Sequence, residues 1–265
     1  MSDYLESLFS LTGKVALVTG GSRGIGEMIS EALVHAGAKV YIVARKPEQC
    51  EATANRLSTT GSCIALTADI NSVAGIKALV TEFHGHEDRL DILVNNAGNA
   101  WAEPIETFSE KAWDRVMDLN VKSPFFLTQA LLPLLAANAT GESPSQVINI
   151  GSVAGYTGNT SAFSYGPSKA AIHQLTRVLA DELVDRHIHV NGIAPGYFPS
   201  RLSAGLIEDD EMLQESMKHV PIKRMGAPED IGALTIAVAT NRYMLGNVIP
   251  IDGGVLLGDP RGGHH

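Results

Sequence analysis

Short β-branched runs alternate with helix-forming stretches along this chain, and that alternation narrows the fold more than any other feature. Lys14–Thr19 (KVALVT), Lys39–Val43 (KVYIV), Ser62–Thr67 (SCIALT), Leu90–Val94 (LDILV), Gln146–Ile150 (QVINI), Ile188–Ile193 (IHVNGI) and Asn247–Ile251 (NVIPI) read as strands. They lack in/out alternation, which a parallel sheet covered on both faces produces. Between them, Ile25–Ala36, a stretch from Pro47, Val73–Phe83, a long span over about 109–137, Tyr165–Arg186 and Pro228–Ala239 carry helical spacing. Pro124 sits near a bend or break in the long span. Right-handed crossovers then leave a doubly wound α/β fold, a parallel sheet of about seven strands with helices on both faces. No linker or shift in composition divides the 265 residues, so one domain over 1–265 is expected, with its core at about 12–254.

A net charge of -9 argues against nucleic acid or an anionic membrane surface as partner. Cys50 and Cys63 form no C-x-x-C pair, and the histidines His35, His84, His86, His173, His187, His189 and His219 show no ligand spacing. No metal site or disulfide framework is expected, and those histidines read as surface or packing residues. The opening MSDYLESLFSLTGK has no basic stretch followed by an apolar core, and no run is long enough to span a membrane. A cytoplasmic protein is the expectation. His264 and His265 are set aside as native or tag residues alike.

The first strand runs into Thr19-Gly20-Gly21-Ser22-Arg23-Gly24-Ile25-Gly26 and then a helix. In that context Gly20 permits a sharp turn, Gly24 removes a side chain where a pyrophosphate would approach, and Gly26 permits close helix–strand packing. The helix N-terminus offers unpaired N–H groups to phosphates. The second strand ends Val43-Ala44-Arg45-Lys46, with no acid to engage a ribose 2′-hydroxyl. Arg45, Lys46 and Arg23 instead suit a 2′-phosphate, hence NADPH; a solvated turn is the alternative for the first two.

Tyr165-Gly166-Pro167-Ser168-Lys169 places a phenol and an ammonium one turn apart on a helix face. Pro167 is tolerated only near a helix start, so Tyr165 belongs at a loop–helix junction. A neighbouring ammonium favours the phenolate and lowers a pKa near 10.

With its T-G-x-x-x-G-x-G turn, Asn95-Asn96-Ala97-Gly98 and Y-x-x-x-K in order, the sequence resembles the short-chain dehydrogenase/reductase family, from Lys14 to about Gly254. The resemblance implies a Rossmann fold with the nicotinamide cofactor held along Gly20, Ser22, Arg23, Gly24, Ile25 and Gly26. Further contacts come from Arg45 and Lys46, from Asp69 and Ile70 at the adenine, and from Asn96, Ala97 and Gly98. It implies a catalytic set of Asn120, Ser152, Tyr165 and Lys169. Ser152 holds the substrate oxygen, Tyr165 donates the proton, Lys169 tunes Tyr165 and binds the nicotinamide ribose, and Asn120 positions a relay water. Pro195, Gly196, Phe198 and Ser200 would cover the nicotinamide. Here Ser200 stands where the family commonly has Thr, with Pro199 before it. Val153, Tyr197 and Leu202 join Ser152 and Tyr165 as substrate contacts. The residues from Tyr197 to about Val220 would form a mobile lid with an apolar stripe, a feature equally suited to ordinary packing.

INIGSVAG, YGPSKAA, IAPGYFPSR and GNVIPIDGG look most similar to bacterial 3-oxoacyl (β-ketoacyl) reductases of the rhamnolipid-pathway type. This implies reduction of a 3-oxoacyl thioester carried on acyl carrier protein or coenzyme A. A sugar, polyol, steroid or other ketone is the second reading, and an NADPH-binding sensor without turnover the third. The family also implies a homotetramer or homodimer built on the helices around 109–137 and 165–186.

Overall fold

The computed structural model describes residues 3–158, 162–200, 203, 207 and 209–258. The strands are β1 (Val15–Thr19), β2 (Lys39–Ala44), β3 (Ser62–Thr67), β4 (Ile92–Asn95), β5 (Ser145–Ile150), β6 (Ile188–Pro195) and β7 (Val248–Ile251). They form one parallel sheet in the order β3-β2-β1-β4-β5-β6-β7. The order reverses between β1 and β4, so a crevice opens there at the carboxyl ends of the strands, where ligands of doubly wound sheets bind.

Successive strand residues point to opposite faces, and both faces are apolar. Ala16, Val18, Val40, Ile42, Ile92, Val94 and Ile148 pack against α2 (Gly24–His35), α3 (Pro47–Leu57) and α9 (Pro228–Thr240). Val15, Leu17, Tyr41, Val43, Leu93 and Val147 pack against α4 (Val73–His84), α6 (Ser123–Ala136) and α7 (Tyr165–Leu183). Every residue of β1 is buried, which is why its sequence runs apolar without alternation.

Three local expectations change. The long span over 109–137 is two helices, α5 (Glu110–Met117) and α6, joined by a π turn over Asp118–Lys122. Pro124 has no N–H to give to the carbonyl four residues back, that of Asn120, so the widening falls where the normal ladder is interrupted. The α-helix from Tyr165 ends at Leu183, tightens into a 3-10 turn over Val184–Arg186, and stops at His187, whose φ is 56°. An unexpected helix, α1 (Asp3–Phe9), lies against α9 with no residue buried. Within the expected lid, α8 (Asp210–Lys218) is helical, also with no residue buried. No helix among the described residues is long and apolar enough to cross a membrane.

Candidate active site

Six strand ends carry the expected site residues to one edge of the sheet. At the end of β1, Gly20 (φ 65°) and Gly24 (φ 54°) adopt left-handed backbone that favours glycine. A Cβ on Gly26 would run into the Gly20 carbonyl oxygen, so only glycine lets α2 approach β1 this closely. Ser22 is buried and its carbonyl accepts the Thr53 hydroxyl (3.0 Å). Ser200 sits over the loop: a Cβ on Gly24 would lie 3.3 Å from its Cβ. A bare-backbone cradle of this kind, opening onto the N-terminus of α2, fits a dinucleotide pyrophosphate.

At the end of β2, Arg45 and Lys46 are exposed and neither enters an ion pair among the described residues. Both charges stand ready beside the nucleotide crevice. Asp69 is exposed beyond β3, with Oδ1 accepting the Asn71 N–H (3.1 Å), and Ile70 is buried beside it.

Beyond β4, Asn96 donates its Nδ2 to the Thr19 carbonyl (2.8 Å), which locks the Asn95–Gly98 turn to the glycine loop. The buried Thr19 hydroxyl accepts the N–H groups of both Asn96 and Ala97 (3.0 Å each) and donates to the Val94 carbonyl (3.2 Å). Sequence reasoning quoted Thr19 within its motif without giving it this role. Asn95 donates to Thr128 (3.2 Å) and Asn149 (2.9 Å), and Asn149 donates to Thr176 (3.0 Å). This buried polar chain fixes β4 and β5 against α6 and α7.

Asn120 lies in the π turn and is buried. It accepts the Asn99 N–H (2.9 Å) and donates to the Asn99 carbonyl (2.9 Å) and the Ser168 hydroxyl (2.9 Å). Its side chain is therefore fully engaged in joining the Asn99 loop to α7. A Cβ on Gly98 would lie 3.2 Å from Asn120 Oδ1 and 3.7 Å from Lys169 Nζ, so the Gly98 backbone packs closely against both side chains.

Tyr165 opens α7, as Pro167 required. Its phenol faces Ser152, which follows β5 in extended conformation (φ −171°, ψ 155°) and whose Oγ accepts the Ala154 N–H (3.1 Å). Val153 begins the short turn capped by this serine. Lys169 is buried, donates from Nζ to the Ile150 carbonyl (2.8 Å), and stands 5.7 Å from the centre of the Tyr165 ring. Burial brings its ammonium down to about 8.

Burial pushes the Tyr165 phenol above its ordinary value, and the Ser152 hydroxyl opposes the rise. The ammonium donates to the Ile150 carbonyl and lies over the Tyr165 ring.

Pro195 ends β6, and Gly196 is held against Asp252, whose Cα a Cβ would meet at 2.8 Å. Two expected contacts point elsewhere. The Phe198 side chain is buried in the core with its ring against Gly226, so only its backbone faces the crevice. Tyr197 lines a cavity of about 320 Å³ with Phe198, Val220, Ile222 and Arg224, a set that contains none of Ser152, Tyr165 and Lys169. Leu202 lies outside the described residues. His173, read as a packing residue, is buried on α7 with its Nε2 3.4 Å from the Ser152 nitrogen.

Known proteins agree with this architecture. The family model for short chain dehydrogenase matches residues 14–211. The rhamnolipids biosynthesis 3-oxoacyl-(acyl-carrier-protein) reductase of Pseudomonas aeruginosa is 52% identical over 96% of this chain and 100% of its own. The 2-dehydro-3-deoxy-D-gluconate 5-dehydrogenase of Dickeya dadantii is 36% identical over 94% of this chain and 97% of its own. Among solved structures, the Pseudomonas aeruginosa RhlG/NADP active-site complex superposes with a TM-score of 0.92 at 52% identity, over 94% of this chain and 98% of that one. With the glycine cradle, the Asn95–Gly98 turn and the Ser152–Tyr165–Lys169 cluster assembled at one sheet edge, the chain belongs to the short-chain dehydrogenase family.

Proposed function

We propose that the protein is an NADPH-dependent reductase that converts a carbonyl to an alcohol, with a 3-oxoacyl thioester as its substrate class. The observation that carries this reading is the meeting of Ser152 and Tyr165 beside buried Lys169 at the end of β5, next to the glycine cradle. When bound, the reduced nicotinamide supplies a hydride to the carbonyl carbon.

Every other part falls to the chain. The pyrophosphate rests on the loop of Gly20–Gly26 and the start of α2, and Arg45, Lys46 and Arg23 hold the 2′-phosphate. Asp69 and Ile70 flank the adenine, while Asn96, Ala97, Gly98, Pro195, Gly196 and Ser200 line the nicotinamide end. The Ser152 hydroxyl donates a hydrogen bond to the substrate oxygen and orients it. Tyr165 transfers its phenolic proton to that oxygen as the hydride arrives, leaving a phenolate. A phenol kept protonated by burial suits this direction, because it enters the step carrying the proton. Lys169 then stabilises the phenolate, and its ammonium, brought down to about 8, is poised to return the proton. A relay water positioned by Asn120 then reloads Lys169 from solvent.

The thioester preference draws on the 52% identical relative, named as a 3-oxoacyl-carrier-protein reductase. The 36% identical gluconate dehydrogenase favours a second reading, a keto sugar acid. Trp113, Phe125 and Val178 are exposed on α5, α6 and α7, in keeping with a homotetramer or homodimer built there.

A carbonyl panel followed by nicotinamide absorbance tests the proposal. It should contain acetoacetyl-coenzyme A, an acetoacetyl carrier protein, a keto sugar acid, a steroid ketone and a polyol with NADP. Thioester turnover with NADPH preferred over NADH is expected. Turnover of the sugar acid alone would select the second reading, and binding without turnover would leave a nucleotide sensor.

A further inference from the structure

We propose that His173 is a positioning residue for catalysis: in a slot cut by Gly151 and Gly155, its imidazole accepts the Ser152 main-chain N–H and holds that serine against Tyr165. The inference rests on the reading of Ser152 as the residue that orients the substrate oxygen.

The geometry begins with helical spacing. Tyr165, Lys169 and His173 are four residues apart and lie on one face of α7. Each reaches the end of β5. Tyr165 meets the Ser152 side chain, Lys169 donates to the Ile150 carbonyl (2.8 Å), and His173 Nε2 faces the Ser152 nitrogen (3.4 Å). The third contact serves a specific donor. Gly151 N–H gives the last rung of the sheet ladder, to the Ile193 carbonyl (2.7 Å). Ser152 N–H is the next amide along and lies beyond the ladder. His173 is the acceptor it finds.

At 3.4 Å that hydrogen bond is weak alone, and the slot supplies the rest of the restraint. A Cβ on Gly151 would overlap Nε2, and one on Gly155 would lie 2.5 Å from Cε1. Gly151 is therefore cut to the imidazole ring, and Gly155 to the ring together with the Lys169 backbone, 2.9 Å from its Cβ position. Tyr156 closes the slot, its ring centre 4.6 Å from that of His173 and tilted 36°, and its hydroxyl donates to the Val248 carbonyl (3.3 Å). With the Ser152 N–H tied to His173 and its Oγ accepting from Ala154, the direction of the serine hydroxyl is set from two sides.

Filling space would not call for histidine. A buried imidazole loses its hydration, which disfavours it against an aliphatic side chain unless a polar partner is gained. Burial and the neighbouring Lys169 and Arg177 cations hold the imidazole down to about 4, so the ring is neutral and, in the tautomer protonated at Nδ1, Nε2 carries the lone pair an acceptor needs.

His173→Leu and His173→Gln are to be compared with wild type, using the panel compound that wild type reduces fastest. Leucine fills the slot without an acceptor, whereas the glutamine amide carries an acceptor oxygen to a similar reach. His173→Leu is expected to lower kcat about tenfold, the effect of a misaligned reacting group, with KM and NADPH affinity within about twofold. His173→Gln is expected to recover kcat to within about threefold of wild type. Wild-type kcat in a folded His173→Leu overturns the proposal. So does a His173→Gln no better than His173→Leu, since packing alone then explains the loss. If His173→Leu does not fold, His173→Met against His173→Gln carries the same comparison. Ser152→Ala, run beside them, separates the two levels. If it loses turnover while His173→Leu keeps it, only the role of His173 falls; full turnover by Ser152→Ala, or a wild type inert across the panel, overturns both readings.

Discussion

The half of the sheet formed by β1, β2 and β3 and the half formed by β4, β5 and β6 prepare their ends by opposite means. On the first, the cradle is made by leaving side chains out: Gly20 and Gly24 take left-handed backbone, and Gly26 leaves no Cβ to strike the Gly20 carbonyl. On the second, buried polar side chains do the work. Asn95, Thr128, Asn149 and Thr176 form a hydrogen-bonded chain, Asn120 ties a loop to α7, and Lys169 and Tyr165 are anchored on β5. The nucleotide end is thus vulnerable to addition, and the catalytic end to deletion and, at the two glycines around Ser152, to addition as well. The distinction follows from the ligands: a pyrophosphate is recognised by backbone N–H groups, whereas proton transfer requires titratable atoms at fixed places.

Four perturbations sharpen or break that contrast. The largest is Tyr165→Phe, which deletes one oxygen from the catalytic half. It should lower turnover by roughly 10³-fold and leave NADPH affinity within about twofold by fluorescence titration. Near-normal turnover would remove Tyr165 as the proton donor.

Next is Lys169→Met, read through stability in the absence of cofactor. Burial lowers the Lys169 ammonium from 10.5 to about 8. Between those values the unfolded chain binds more protons than the folded one, so stability rises with pH there. Below about pH 8 both states are charged and the cost of burying the charge is constant. Chemical denaturation should find Lys169→Met more stable than wild type at neutral pH. The gap should close by up to about 3 kcal/mol as pH rises through the window. A gap independent of pH would mean that Lys169 is not charged and buried together.

Gly26→Ala tests addition on the nucleotide half. Its methyl must displace the Gly20 carbonyl, with an expected loss of about 1–3 kcal/mol in stability and weaker NADPH binding. Unchanged affinity would show that the cradle tolerates filling. The smallest effect is expected from Arg45→Ala, an exposed charge beside the crevice. It should weaken NADPH by about tenfold while leaving NADH unaffected, the measure of one charge-assisted contact. Equal losses for both cofactors would place Arg45 away from the 2′-phosphate.

Much of this was legible in the sequence because the signals were local. Apolar runs bounded by glycine marked the strands, and Pro167 placed Tyr165 at a helix start. The rest depended on partners far along the chain. Pro124 announced a break without revealing that it would widen the helix around Asn120. Phe198 sits in a motif expected to cover the nicotinamide, yet its ring turns to the core because Gly226, distant in sequence, leaves room. The helix Asp3–Phe9 carries Tyr4, Leu5, Leu8 and Phe9 at helical spacing, but seven residues are too short a window for that pattern to single out a helix, and none of the four is buried. His173 escaped because histidines were judged by ligand spacing. Its partner is a backbone amide, and the only trace of that is the pair of glycines around Ser152-Val153-Ala154.

That pair of glycines also imposes an order on change. While the imidazole occupies the slot, alanine at position 151 or 155 meets the ring and must be destabilising. Once His173 has given way to a smaller side chain, alanine at 151 fills a void and becomes neutral or helpful, whereas at 155 the Lys169 backbone, 2.9 Å from the added Cβ, still opposes it. Positions 151 and 173 are therefore epistatic: glycine 151 can be given up only after His173 has changed, and the imidazole can be taken up only while glycine stands at 151.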